Sequence, residues 1–177
     1  MEKLFSDSET FTNERPTKIT AAQEQEFYKE IAEEIIDNNW SESDVEDIAE
    51  DISNLSLHEN GYELAKDLEN GSRNNAYYDI DVEFCEFLDN ISWKKSDILR
   101  KNVKDWVAAH NPQPKFAEGQ KLIVEIDLNR EKKKGAIVFV NGFNEKEAYY
   151  LIDENPEFKG GTIITYEKVE ANCKPLV

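Results

Sequence analysis

Up to about residue 110 the apolar positions repeat every three to four residues, and beyond residue 120 they alternate. Phe27, Ile31 and Ile35, with Ile36 beside them, form one stripe. Thr20-Ala21-Ala22-Gln23 ahead of it has the form of a capping box, so a first helix is predicted from Thr20 to Asn38-Asn39. Val45, Ile48, Ala49, Ile52 and Leu55 form a second stripe, with Ser43 and Glu46 or Ser41 and Asp44 as competing boxes at its start. Tyr62, Leu64, Ala65 and Leu68 predict a third helix over 59–70, closed by Gly71 and followed by a loop over 71–78. Val82, Phe84, Cys85, Phe87, Leu88 and Ile91 give a fourth helix a wide apolar face and hence a central place. A fifth, beginning at Trp93 or Ser96, turns Leu99, Val103, Trp106 and Val107 inward.

Asn111-Pro112-Gln113-Pro114 then stops the helical pattern, because two prolines in three residues cannot continue it. Strands are predicted over 121–128, 136–141, 148–153 and 162–166. A charged hairpin turn over 130–135 separates the first two, a turn over 142–146 the next, and a longer loop over 154–161 the last. A short helical turn is expected at Tyr166-Glu167-Lys168-Val169. The architecture expected is α+β. A flexible arm spans 1–18, an acidic bundle of about five helices 19–111, a proline-containing linker 112–115 and a small antiparallel β-barrel 116–177. No internal repeat interrupts this order.

The last third carries Phe116-Ala117-Glu118-Gly119-Gln120-Lys121 at the entry to its first strand, Gly135-Ala136-Ile137-Val138 in the second and Tyr149-Tyr150-Leu151-Ile152 in the third. It closes on Ile163-Ile164-Thr165-Tyr166-Glu167-Lys168-Val169. In these segments it resembles the SH3-like small barrels of bacterial proteins. The resemblance implies a fold and a habit of binding, and no activity or ligand.

Charge changes the picture more than composition does. The chain has 177 residues, 38 acidic and 21 basic, for a net charge of −17. Residues 1–111 hold 27 acids against 11 basic residues, and residues 112–177 hold 11 against 10, so the excess sits on the helical part. Such a field repels phosphate and anionic membrane, which disfavours direct nucleic-acid or lipid binding over a broad surface and favours basic partner surfaces. No run approaches the roughly 20 apolar residues of a membrane span. The opening MEKLFSDSET has no apolar leader core, and two cysteines, Cys85 and Cys173, are too few for a disulfide scaffold, so free thiols in a reducing cytoplasm are expected.

Motifs for chemistry are missing. No GxGxxG, Walker A, GxSxG or HExxH pattern occurs. His58 and His110 have no cysteine or histidine at ligand spacing, so no metal is expected. Asp37-Asn38-Asn39-Trp40-Ser41 starts like a calcium loop but puts Glu42 at the required glycine and Ile48 at the required glutamate. Asp79-Ile80-Asp81-Val82-Glu83 reads as helix capping. Gly160-Gly161 reads as a loop hinge. The expectation is a non-catalytic binding protein without cofactor.

Three binding modes follow from the residues. Glu30, Glu33, Glu34, Asp37, Asp44, Asp47, Glu50 and Asp51 are candidates for an outward acidic face that docks on a basic partner surface. Such a face suits an inhibitor from a phage or mobile element that imitates nucleic acid on a nucleic-acid-handling enzyme. Phe143, Tyr149, Phe158 and Tyr166 are candidates for a peptide groove on the barrel, which would make the chain an adaptor. Lys132-Lys133-Lys134 at the hairpin tip and the basic fifth helix could contact phosphate weakly.

Overall fold

The computed structural model describes residues 14–57, 59–71 and 76–176. They form two compact units, one of residues 16–102 and one of residues 103–176 with Glu14 and Arg15. Of the arm expected over 1–18, residues 1–13 lie outside the described residues, as does His58.

In the first unit α1 (Ala21–Asp37) opens with the expected capping box: the Gln23 amide donates to Thr20 Oγ1 at 3.2 Å and the Thr20 amide to Gln23 Oε1 at 3.0 Å. Its stripe of Phe27, Ile31, Ala32 and Ile35 is buried. The second helix, α2 (Val45–Ser53), buries Ile48 and Ile52 but has no side-chain cap at its N-cap, Asp44. Neither expected box forms, because Ser41 Oγ donates to the Tyr77 carbonyl at 2.7 Å and Ser43 Oγ accepts the Tyr77 amide at 3.4 Å instead. The Asp79 amide reaches the Trp40 carbonyl at 2.7 Å and the Tyr77 amide reaches Ser43 Oγ, so residues 77–79 are stitched to 40–43.

The third helix, α3 (Gly61–Gly71), packs on α4 (Val82–His110) at its first residue. A Cβ on Gly61 would lie 1.8 Å from the Cys85 carbonyl oxygen, so only glycine allows this approach. The Gly61 amide donates to Asp89 Oδ1, which satisfies a helix-terminal group that has no partner within α3. Asp81 accepts the Phe84 amide at 2.7 Å and caps α4. Phe27, Ile31, Ile35, Ile48, Ile52, Leu64, Leu68, Tyr78, Phe84, Leu88 and Ile91 make one core, with Trp40 tilted on Phe84 and Phe87 at 5.3 and 5.1 Å between centroids.

The fourth and fifth helices expected from the pattern are one uninterrupted helix of 29 residues. Ser96, one of the two expected starts of the fifth helix, bonds back to the Ser92 carbonyl four residues earlier, as Asn90 does to the Glu86 carbonyl, so both sit inside the ladder and start no new helix. Among the described residues four helices therefore precede the sheet. The last turns of α4, from Val103, belong to the second unit, where Trp106 joins the core.

In the second unit β1 (Lys121–Val124), β2 (Ile137–Asn144), β3 (Tyr149–Asp153), β4 (Thr162–Thr165) and β5 (Cys173–Pro175) form one antiparallel sheet in the order β4-β3-β2-β1-β5. The fifth helix, α5 (Tyr166–Asn172), follows β4, where a helical turn was expected. The ladder does not close: β4 and β5 are its two edges among the described residues, so the α+β reading holds while a closed barrel is not formed. The predicted first strand stops four residues early. Beyond Val124 the amides of Glu125 and Ile126 turn to the Asn172 carbonyl, and the Leu128 amide bonds to the Lys132 carbonyl, which curls the chain and drops Leu128 into the core.

Gly61→Ala forces a methyl group into backbone and cannot be relieved by a rotamer change. Overpacking of a core costs about 1–3 kcal/mol, and this variant is expected to lose at least about 2 kcal/mol. Urea unfolding followed by circular dichroism measures it, with Gly71→Ala, where added bulk meets nothing within 4 Å, as the unaffected control.

Candidate interaction surface

The acidic candidates divide by position on their helices. On α1 the buried residues Phe27, Ile31 and Ile35 define the inner face, and Glu30, Glu33 and Asp37 fall opposite it, all exposed, together with Glu26. Glu33 pairs with Lys29 at 3.7 Å. Glu34 lies at the flank and is bound by Lys94 of α4, and Glu24 one face around is bound by Lys95. On α2 Asp44 and Glu50 are exposed and Asp47 is half-buried.

Asp51 is a correction to the outward face: it is 4 % exposed, and Tyr78 donates its hydroxyl to Asp51 Oδ2 at 3.1 Å. Its place in the helix explains this, since it precedes Ile52 and borders the stripe of Ile48 and Ile52. Burial, and then the Asp51 and Asp47 charges, push the Tyr78 phenol far above its ordinary range, so it remains a donor. A shallow cleft of about 400 Å³ beside it is lined by Asp51, Asn54, Leu55, Asp67, Leu68 and Asn70 with Gly71. Among the described residues no three His, Cys, Asp or Glu side chains are grouped to hold a metal ion.

The aromatic candidates of the second unit do not share one open groove. Tyr166 is buried in the core, 4.6 Å from the Tyr150 ring, and Phe143 packs on both at 6.4 and 5.7 Å. Tyr149, on the outer face of β3, carries the Arg15 guanidinium at 4.3 Å. Phe158 alone is largely exposed, in the loop that Asn141 holds by its bonds to the Asn155 and Phe158 carbonyls.

The cations are mostly engaged. Lys132 is buried and reaches Glu154 at 3.3 Å, and Lys133 reaches Asp127 at 3.0 Å, so the hairpin tip is not a free row of three charges. The Lys134 amide and then Lys133 hold the Asp127 carboxyl below its usual range. On α4 Lys94, Lys95, Arg100 and Lys104 pair with Glu34, Glu24, Asp97 and Glu147, and Lys101 has a partner too.

Sequence reasoning missed the exposed aromatics of the helical unit. Trp93, Tyr62 and Tyr77 are 66, 65 and 75 % exposed. Trp93 was assigned to a helix start, where its direction is undefined. Once α4 is continuous, its phase puts Trp93 opposite Phe84, Leu88 and Ile91, and that phase was the signal available. Among the described residues no helix is long and apolar enough to cross a membrane. Compared with protein-family models, curated proteins and solved structures, the chain matches none.

The Lys95 hydrogen bond and charge hold the Glu24 carboxyl below its ordinary value of 4.5. As pH falls the unfolded chain therefore binds this proton first. The pair stabilises the fold above about pH 4.5, and that contribution is lost as pH drops through the depressed folded value. Because the pair is partly exposed, Glu24→Gln is expected to cost no more than about 1 kcal/mol at neutral pH and to flatten the acid limb of a melting-temperature profile by that amount.

Proposed function

We propose that the chain is a non-catalytic acidic binding protein whose helical unit docks on a basic surface of a macromolecular partner. What carries this reading is the outward face of α1. Glu26, Glu30, Glu33 and Asp37 are exposed along about 16 Å of helix, with Lys29 as the cation beside them, while the apolar stripe points the other way. Carboxylates in such a row present the repeated negative charge of a nucleic-acid strand, which makes a nucleic-acid-handling enzyme of a phage or mobile-element setting the natural target. A field of this kind accelerates encounter and weakens with salt. Direct nucleic-acid binding draws least support, because most of the lysines it would use, and Arg100, are engaged in ion pairs, Lys134 being the exposed exception at the hairpin.

A second reading rests on the other unit. Five short antiparallel strands with β5 returned beside β1 support an open, SH3-like sheet, and exposed Phe158 and Ile163 support an adaptor that binds a peptide there.

The two readings separate in one experiment. The full chain, and a variant with Glu30→Gln, Glu33→Gln and Asp37→Asn, serve as baits for the partner from source-cell extract at low and high salt. Retention by the native chain at low salt only, weakened about tenfold or more in the triple variant, is expected when three such charges each contribute up to about 1 kcal/mol. Retention that ignores both salt and the triple substitution overturns the acidic reading, and its loss in Phe158→Ala instead selects the adaptor.

A further inference from the structure

The contact that fixes α3 on α4 also places two exposed rings. Tyr62 follows Gly61, whose amide is bound by Asp89, and Trp93 lies one turn beyond Asp89 on the same side of α4. Both rings are about two-thirds exposed, at 65 and 66 %, with Trp93 one turn from the Asp89 that binds the residue before Tyr62. An indole held in water is a large apolar and π surface left without a partner, and such side chains dominate the energetics of protein interfaces.

The surroundings state what the rings suit. Glu86 and Asp89, two turns and one turn before Trp93 on the same side of α4, are exposed, as is Glu59 two residues before Gly61. The lysines that follow Trp93 turn away: Lys94 and Lys95 lie against Glu34 and Glu24 of α1. Elsewhere the chain covers rings with its own cations, Lys94 over Phe87 at 4.8 Å, Lys95 over Tyr28 at 5.0 Å and Arg15 over Tyr149 at 4.3 Å. Among the described residues no cation lies over Trp93 or Tyr62. An open indole face with Asp89 and Glu86 before it on the same side of α4, and with Arg100 beyond it already paired to Asp97, is complementary to a planar cation. Arginine fits better than lysine, because guanidinium stacks on a ring while its edge donates to carboxylate. The same carboxylates repel an anionic lipid surface.

We propose that Trp93 and Tyr62 are the anchor for an arginine-bearing segment of the protein partner, with guanidinium stacked on the rings and its charge met by Glu86 and Asp89. The proposal rests on the acidic docking reading and names where on the helical unit it is specific.

An oligo-arginine peptide and an oligo-lysine peptide of equal length are titrated into the full chain, and the three tryptophan indole N–H resonances are followed. The Trp93 resonance is assigned by its loss in Trp93→Phe. The expected result is that arginine peptide shifts the Trp93 indole while those of half-buried Trp40 and buried Trp106 stay. Trp93→Ala and Tyr62→Ala should each weaken arginine-peptide binding about fivefold or more, with oligo-lysine binding and the melting temperature unchanged. Loss of both peptides equally in Glu30→Gln/Glu33→Gln/Asp37→Asn, with no effect of Trp93→Ala and no indole shift, overturns the anchor and leaves acidic docking standing. Absence of binding by either peptide overturns both. A blue shift of Trp93 emission on phosphatidylserine vesicles, without an arginine-peptide shift, overturns the anchor in favour of a membrane.

Discussion

The approach of Gly61 to the backbone of Cys85 through Asp89 determines how the helical unit is assembled. At that distance α3 has no side chain between its first turn and α4, and the Asp89 carboxylate supplies the acceptor that the first amide of α3 lacks within its own helix. The steric fit and the hydrogen bond depend on one another. If α3 moved outward the amide would lose its partner, and if Asp89 were apolar the close contact would bury an unsatisfied donor. With α3 so placed, Leu64, Ala65 and Leu68 reach Phe84, Leu88 and Ile91, and Tyr78 comes to lie over Asp51.

The continuity of α4 positions the proposed surface. Because α4 runs unbroken from Val82 to His110, turning Phe84, Leu88 and Ile91 inward leaves Trp93 no direction but outward. Charge is sorted by the same geometry. Where α1 meets α4 the carboxylates of Glu24 and Glu34 are met by lysines, and where α1 faces solvent no cation of another helix among the described residues meets them. The ion pairs that join α1 to α4 lie along their seam, while Lys29–Glu33 and Arg100–Asp97 pair within single helices.

How much of this could be read from residues depended on whether local chemistry decided the outcome. The Thr20–Gln23 box was legible because both partners lie within one turn, and the stripes of α1 and α2 because burial follows period. The α2 cap was not legible, since Ser41 answers to Tyr77, 36 positions away. The break expected in α4 at Trp93 or Ser96 does not occur, because a polar side chain that caps and one that bonds back into its own helix, as Ser96 does, look alike in sequence. Leu122 to Leu128 alternates throughout, yet only Lys121–Val124 is a strand, because alternation records which side a residue faces and not whether its amide has a strand beside it. Of the candidate site, the exposure of Glu30, Glu33 and Asp37 was legible from phase alone. The burial of Asp51 and Tyr166 was not, since each depends on aromatic partners from distant segments.

The acidity and the open indole have in common that folding does not require them. Like charges at Glu26–Glu30, Glu30–Glu33 and Glu33–Asp37 each cost about 0.2–0.5 kcal/mol, against about 1.5–3 kcal/mol gained by burying each of Phe27, Ile31 and Ile35. The fold tolerates this repulsion easily and gains nothing from it. Trp93 is similar: at 66 % exposure it contributes little to the core, and a polar residue would serve α4 equally well. Features that cost little, stabilise nothing and share one compact unit are best explained by what they meet outside it. A carboxylate row is answered by cations, a bare indole by a flat apolar or π-stacking group, and a guanidinium is the side chain that answers both.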